Sequence, residues 1–173
     1  NGIRAVRVDE IAQRLGISKR TLYEMFADKN DLISACLDDL ARRQRQRIAA
    51  SRRRRSGNPL QRTLRLANDY IDSLYTVDHS FLADIRRKVL FAEQYDEHRE
   101  FWRKELSLNL EECRGGGLLL SEIDTAALAE QLMSTLFELR LNRTTREELY
   151  LLCRTILRGA ATQQGIDLID RKP

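Results

Sequence analysis

The sequence predicts an all-α protein, and three observations carry that prediction. Leu, Ala, Arg and Glu dominate the 173 residues, and all four are good helix formers. Only two prolines and eight glycines interrupt the chain. Apolar residues recur every three to four positions in successive segments, which is the period of a helix that buries one face. No strand pattern, internal repeat or metal-ligand spacing is present, so we expect neither a metal nor a cofactor.

Composition also bounds the location of the protein. No apolar run approaches the roughly 20 residues that span a bilayer, and no secretory signal is visible. The three cysteines, Cys36, Cys113 and Cys153, are odd in number, far apart and set among apolar neighbours. We therefore expect buried, reduced thiols in a cytoplasmic protein that makes no membrane contact.

The formal net charge of +4 hides an asymmetry along the chain. Residues 1–58 hold 14 Lys or Arg against 7 Asp or Glu, whereas residues 59–173 hold 16 against 19. A basic first part on a mildly acidic body suggests that only the first part meets a polyanion.

The first predicted helix buries Val8, Ile11, Ala12 and Leu15, which follow the spacing i, i+3, i+4, i+7. Gly16 is predicted to end it, because a helix often terminates in a left-handed residue and glycine adopts that conformation freely. A helix that ends at Gly16 predicts a tight turn before the second helix.

The second predicted helix begins after Ser18, a favoured N-cap, and buries Leu22 and Phe26. Asp28 is predicted to cap a third helix that runs from about Lys29 to about residue 50. Its inward stripe is expected to contain Leu32 or Ile33, Cys36, Leu37, Leu40 and Ile48.

A polar, arginine-rich segment at residues 51–58 breaks the apolar pattern and marks the domain junction. Asn58 is a suitable cap for a helix that has Pro59 in its first turn. We assign residues 1–47 to an N-terminal domain and residues 48–173 to a C-terminal helical domain.

Five further helices are predicted in the C-terminal domain. The first carries Leu60 to Leu74, a shorter one covers about 81–91, and a third covers about 93–113 before three consecutive glycines stop it. The fourth spans about 125–141. The last begins near Thr144 or Thr145, where the acidic residues that follow complete a capping box, and extends to about Ala160.

The first two helices meet the requirements of a helix-turn-helix: an amphipathic first helix, a tight turn, and a short second helix with polar residues facing solvent. Lys19 and Arg20 stand at the N-terminal end of the second helix, where base edges are reached. Arginine is the best reader of guanine. Thr21 and Tyr23 can contact phosphates or a thymine methyl, and the ammonium and backbone amides at Lys29 can hold a phosphate.

Residues 17–32 resemble the TetR family of bacterial transcriptional regulators. The family signature reads roughly V-S-x-x-T-L-Y-x-x-F-x-x-K-x-x-L, and Thr21-Leu22-Tyr23, Phe26 and Lys29 match it. Residues 8–12 match as well, so the resemblance covers about 45 residues. Beyond them, the chain is similar to the family only in length, helical content and layout.

The resemblance implies an all-α homodimer with an N-terminal helix-turn-helix DNA-binding domain and a C-terminal ligand-binding and dimerisation domain. Its partners would be double-stranded DNA with a palindromic operator and a small-molecule effector. Met25 departs from the histidine common at that position. The family's first helix has no counterpart in this sequence, so we expect a longer native protein. The expected DNA-binding residues are Ser18, Lys19, Arg20, Thr21, Tyr23 and Lys29.

The same resemblance suggests sites in the C-terminal domain. The last two helices are apolar over more than the roughly 100° that one packing partner needs, so a four-helix bundle between two subunits is expected, with a buried central helix as the alternative. The expected interface residues are Leu132, Leu136, Leu149, Cys153, Ile156, Leu157 and Ala160. Residues that line a ligand cavity, unless they are plain core, are expected to include Tyr70, Tyr75, Phe81, Trp102 and Met133.

Some interpretations stay open at this stage. The arginines at 42, 43, 45, 47 and 52–55 could contact DNA, although such runs are usually solvated faces. His79 and His98 suit surface or helix-end positions. The function expected is a repressor that a small molecule releases, not an enzyme. The C-terminal domain could instead bind a protein partner, or the chain could be an enzyme or carrier that borrowed these helices, although no catalytic constellation is present.

Overall fold

The computed structural model describes residues 2–54 and 57–170, and within these ranges the chain is all-α as predicted. An isolated antiparallel bridge joins Leu119 and Ala161, and short 3-10 helices cover Ile3–Ala5 and Val89–Phe91. The α-helices are α1 (Val8–Leu15), α2 (Lys19–Met25), α3 (Lys29–Arg54), α4 (Pro59–Leu74), α5 (His79–Arg87), α6 (Ala92–Gly115), α7 (Thr125–Leu141), α8 (Arg146–Gly159) and α9 (Gln163–Asp170).

The predicted helix ends are confirmed in detail. Gly16 adopts the left-handed conformation after α1, with φ 67° and ψ 25°. The side chains of Ser18 and Asn58 accept backbone N–H groups at the starts of α2 and α4. Thr145 and Glu148 form the predicted capping box of α8. These caps satisfy N–H groups that a helix cannot pair internally, so they fix where each helix begins.

The main core lies in the C-terminal part, where α6 packs between α4 and α7. Trp102, Leu106 and Leu110 on α6 are fully buried there. Two smaller clusters hold the N-terminal part. One contains Val8, Leu22 and Leu32 from α1, α2 and α3, and the other joins the N-terminal segment to α5.

Helix α9 was not predicted. The last predicted helix ends near Ala160, but α9 follows it and packs on α4 and α8. The approach is close at Gly165, where a Cβ atom would stand 2.2 Å from the carbonyl oxygen of Leu118. A helix of eight residues that contains a glycine gives little periodic signal, which explains the omission.

Three residues that were predicted to face inward do not. Leu15 at the end of α1 is 62% exposed, while Val8 and Ala12 in its first two turns are buried. Cys36 and Leu40 on α3 are also exposed. The expectation of a buried thiol is thus wrong for Cys36.

The other two thiols are buried as predicted. Burial raises the pKa of Cys153 to about 12, and it also raises the pKa of Cys113. A thiol that stays protonated is a weak nucleophile, so both cysteines act as small apolar core residues.

One continuous helix joins the two parts of the chain. Helix α3 runs from Lys29 to Arg54, and the predicted boundary between residues 47 and 48 falls inside it. Arg55 and Ser56 of the predicted polar junction lie outside the described residues. Across the described ranges, none of the helices is both long and apolar enough to cross a membrane.

Candidate DNA-binding surface and ligand cavity

Helix α2 lies on the protein surface, and only one of its side chains, that of Leu22, is buried. Leu22 packs against Val8 and Leu32, with Ile17 at the edge of the cluster. The Ser18 hydroxyl accepts the backbone N–H of Thr21 at 3.0 Å and fixes the start of the helix. The exposed side chains of α2 are Lys19, Arg20, Thr21, Tyr23, Glu24 and Met25.

The two cations of α2 have weak carboxylate partners. Arg20, with its side chain 89% exposed, pairs with Glu24 at 3.0 Å. Lys19 pairs with Asp9 at 2.9 Å, and its hydrogen bond to that carboxylate raises the pKa of Lys19. Exposed pairs of this kind contribute about 0–1 kcal/mol, so a phosphate or a base edge can replace the carboxylate at small cost.

Lys29 is partly buried and turns back toward the N-terminus. Its ammonium donates to the carbonyl oxygen of Arg4 at 3.1 Å. The Asp28 carboxylate accepts the backbone N–H groups of Asn30 and Asp31 at 2.7 and 2.9 Å. These two amides already have an acceptor, and phosphate binding at Lys29 stays a prediction.

A cavity of about 280 Å³ lies between α3, α4, α5, α6 and α7. This volume is close to the lower end of the roughly 300–1,000 Å³ of small-molecule sites. Its walls are mostly apolar, with aromatic rings from Tyr70, Tyr95 and Phe137. Polar side chains from α6 interrupt them, including Gln94 and His98.

His98 is neutral in this cavity wall. Burial, reinforced by the charge of Arg45, lowers the pKa of His98 to about 4. The Trp102 indole N–H donates to His98 Nε2 at 3.0 Å, and Gln44 Oε1 lies 3.0 Å from the same nitrogen.

Ion pairs between different helices surround the cavity, and they join α3 to α6, α6 to α7 and α5 to α7. Each guanidinium group therefore has a carboxylate from a neighbouring helix. The three pairs are Arg45 with Glu97, Arg99 with Glu130, and Arg86 with Glu138.

The cavity wall also contacts the N-terminal segment. The backbone N–H of Ile3 donates to the Asp84 carboxylate of α5 at 2.8 Å. The side chain of Ile3 is buried with Ile33, Ile85 and Phe91. Because Ile85 also lines the cavity, one helix touches both the cavity and the segment that leads into α1.

Comparison with known proteins identifies the N-terminal part. Residues 1–36 match the N-terminal domain described as bacterial regulatory proteins, tetR family. The N-terminal part of the chain belongs to the TetR family. This match, together with the exposed face of α2, makes it a DNA-binding transcriptional regulator.

Solved structures share the whole fold of this TetR-family chain. A TetR-family regulator from Rhodococcus is 18% identical with a TM-score of 0.72, covering 92% of this chain and 89% of its own. A fatty acid degradation regulator from Bacillus halodurans is 19% identical with a TM-score of 0.67, covering 93% and 86%. A ketosteroid transcriptional regulator of Mycobacterium tuberculosis is 20% identical with a TM-score of 0.55, covering 93% and 87%. None of the curated proteins matches this chain.

The structure places only two of the predicted pocket residues at the cavity. Tyr70 and Met133 line it, whereas Tyr75, Phe81 and Trp102 do not. Trp102 is fully buried behind the wall, where its ring packs on Tyr70 at 5.5 Å between centroids. Polar residues within apolar helix faces were the signal that sequence reasoning missed, and they include Gln44, Gln94 and His98.

The predicted interface residues of this regulator lie in its own core. Leu136, Leu149, Cys153 and Leu157 have no exposed surface, Leu132 and Ala160 are buried, and only Ile156 is partly exposed. The wide apolar arcs of α7 and α8 are covered by α4, α6 and α9 of the same chain. The six buried residues therefore cannot form a contact between subunits, which corrects their assignment.

Five arginines of α3 have partners within the chain. Arg45, Arg47 and Arg52 pair with carboxylates of α4 and α6, and Arg42 and Arg43 pair with Asp39. These contacts favour a structural role over direct DNA contact, while Arg55 lies outside the described residues. His79 is the first residue of α5, which agrees with the expected helix-end position. His98 is partly buried, whereas a surface or helix-end position was expected.

Proposed function

We propose that this TetR-family chain is a repressor that binds a palindromic operator as a homodimer and leaves it when a small molecule occupies the cavity. The observation that carries the proposal is the position of the cavity, which is lined by α3 and α5. Helix α3 begins at the helix-turn-helix, and α5 holds the N-terminal segment through Asp84. We propose a regulator without a catalytic role that acts in the cytoplasm.

Release follows from differential affinity. A ligand that contacts both α3 and the body favours the relative arrangement of these parts that fits it best. If that arrangement differs from the one that fits the operator, the ligand weakens DNA binding by no more than its own preference between the two.

We propose that the subunits meet through the outer faces of α7 and α8. Leu151 on α8 is 67% exposed, although it is a large apolar residue. Leu152 and Ile156 beside it are partly buried, as are Leu128 and Leu139 on α7. Apolar side chains that remain in water on two neighbouring helices suit a symmetric contact with a second copy.

The cavity favours a small molecule over a protein partner for the C-terminal domain. A protein partner would require an exposed apolar groove, whereas this space lies among five helices. Its mixture of apolar walls and a few polar groups is typical of sites for metabolites.

Selection of bound duplexes from a random DNA pool tests the proposal. We expect enrichment of a palindrome whose half-sites lie about one helical turn, roughly 34 Å, apart, since two-fold symmetry separates the two copies of α2 by that distance. Selected sequences without two-fold symmetry would contradict the dimer, and the absence of any enriched sequence would contradict operator binding.

A further inference from the structure

We propose that the cavity selects an apolar molecule that carries a hydrogen-bond donor and no negative charge. This inference rests on the proposed ligand-controlled function and names the chemistry of its effector. Three features of the wall carry it: an unpaired acceptor, an excess of carboxylates over guanidinium groups among the lining residues that the structure describes, and the apolar surface that surrounds both.

The unpaired acceptor is the side-chain oxygen of Gln94. Its amide nitrogen donates to the Ser34 hydroxyl at 2.6 Å, which ties α6 to α3. Its Oε1 is buried and has no hydrogen-bond partner, and it is the one such side-chain atom among the described residues. A buried polar atom without a partner destabilises the empty cavity, and a ligand O–H or N–H group that donates to it removes this penalty.

The charges around the cavity argue against an anion. All three guanidinium groups of the surrounding ion pairs already have a carboxylate partner. Asp38, which also lines the cavity, adds a further carboxylate. A ligand carboxylate or phosphate that displaced Glu97 or Glu130 from its arginine would still meet the lining carboxylates of Asp38, Glu97 and Glu138, which repel a further negative charge.

Much of the remaining wall is apolar or aromatic. Leu37, Leu74, Ile85 and Met133 line it together with the rings of Tyr70, Tyr95 and Phe137. Burial of an aliphatic chain or ring against this surface provides the affinity, and the single contact with Gln94 provides the orientation.

The single tryptophan of the chain reports on this site directly. Trp102 lies behind the wall, packs on Tyr70 and donates to His98, and both of these residues line the cavity. Its fluorescence should respond when the cavity is filled, and this readout does not require DNA.

The test uses three aliphatic probes of equal length at neutral pH: 1-nonanol, 2-nonanone and nonanoate. We expect 1-nonanol to bind at least about fivefold more tightly than the other two, since only it can donate to Gln94 without carrying a charge. Equal or tighter binding of nonanoate would overturn the exclusion of anions. Equal or tighter binding of 2-nonanone would overturn the donor requirement, because a ketone can only accept.

Variants assign the preference to one atom. Gln94→Leu should remove the difference between 1-nonanol and 2-nonanone, and Gln94→Met serves the same purpose if the Leu variant does not fold. Gln131→Leu, an exposed position of α7 away from the cavity, should keep the difference. A difference that persists in both Gln94 variants would overturn the inference. If none of the probes binds while a palindrome is still selected from random DNA, this inference fails and operator binding stands.

Discussion

At the residue scale, Arg140 illustrates how one buried cation fixes the cavity wall. Its guanidinium donates to the carbonyl oxygens of Leu74 and Val77, at 3.1 and 3.0 Å, where α4 ends. It also stacks on the Tyr75 ring, 4.3 Å from the centroid. Leu74 and Val77 both line the cavity, so Arg140 holds that wall in place from the side of α7.

Replacement of Arg140 by alanine should lower the free energy of unfolding by about 3 kcal/mol, because two buried carbonyl groups lose a charged donor. Urea denaturation measures this change. Arg103→Ala is the matched control, since Arg103 makes an exposed pair with Glu100 and should change stability far less than Arg140→Ala does. Similar losses in the two variants would contradict the role of Arg140.

His98 predicts a pH dependence of stability. Its pKa is about 4 in the folded protein, below the ordinary value of 6.5 that the unfolded chain regains. Between these pH values the unfolded state binds more protons, so the free energy of unfolding falls as the pH drops through this window. The shift corresponds to about 3 kcal/mol.

The variant His98→Gln isolates that contribution, because glutamine can still accept from the Trp102 indole but does not titrate. Between pH 7 and pH 4 its stability should fall by about 3 kcal/mol less than that of the wild type. Chemical denaturation at a series of pH values measures both proteins. If the free energy of unfolding falls equally with pH in the two proteins, groups other than His98 cause the acid sensitivity.

At the element scale, α5 is the connection between the cavity and the N-terminal segment. Leu82 and Ile85 line the cavity, while Asp84 on the same helix accepts the Ile3 amide. A displacement of α5 therefore reaches the segment that leads into the helix-turn-helix without passing through α3. We expect this short route to contribute to operator release.

Asp84→Ala should detach that segment from α5. The Ile3 amide loses its acceptor, and its hydrogen exchange, followed by NMR, should accelerate by about tenfold or more. Asp38→Ala, which removes an exposed carboxylate of α3, should leave that amide protected. Unchanged protection in Asp84→Ala would mean that packing of Ile3 alone holds the segment.

The elements also mark how far the sequence predicts the fold. Helix starts at Ser18, Asn58 and Thr145 were predictable because a cap is a local interaction between a side chain and nearby N–H groups. Helix α9 was not, because its position depends on the close approach of Gly165 to Leu118, a contact distant in sequence. The exposure of Cys36 was missed for the same reason, since a helical stripe does not reveal what packs over it.

At the scale of the whole molecule, the sequence predicted the exposed face of α2 better than the cavity. The residues of α2 are consecutive, so their exposure follows from one buried position, Leu22. The cavity is assembled from five helices, and its residues share no spacing along the chain. Only Tyr70 and Met133 were identified in advance, because periodicity does not distinguish a cavity wall from a packed core.

The proposed dimer makes a prediction at this scale. Leu151→Asp places a charge on an exposed position of α8, so the protomer should fold while the dimer dissociates to monomers in sedimentation velocity experiments. Leu108→Asp is the control, since Leu108 is 47% exposed on α6, outside the proposed face. A Leu151→Asp variant that remains dimeric would show that the subunits meet elsewhere.

The central claim is that α2 reads DNA sequence, and one ratio tests it most directly. The affinity for a selected palindrome is divided by the affinity for a scrambled duplex, for the wild type and for Arg20→Ala at one salt concentration. We predict that the ratio falls at least about tenfold in Arg20→Ala, since an arginine contact with guanine contributes roughly 1–3 kcal/mol of discrimination. Arg103→Ala, with the same change of charge on α6, should keep the ratio. An unchanged ratio in Arg20→Ala would contradict sequence reading by this residue of α2.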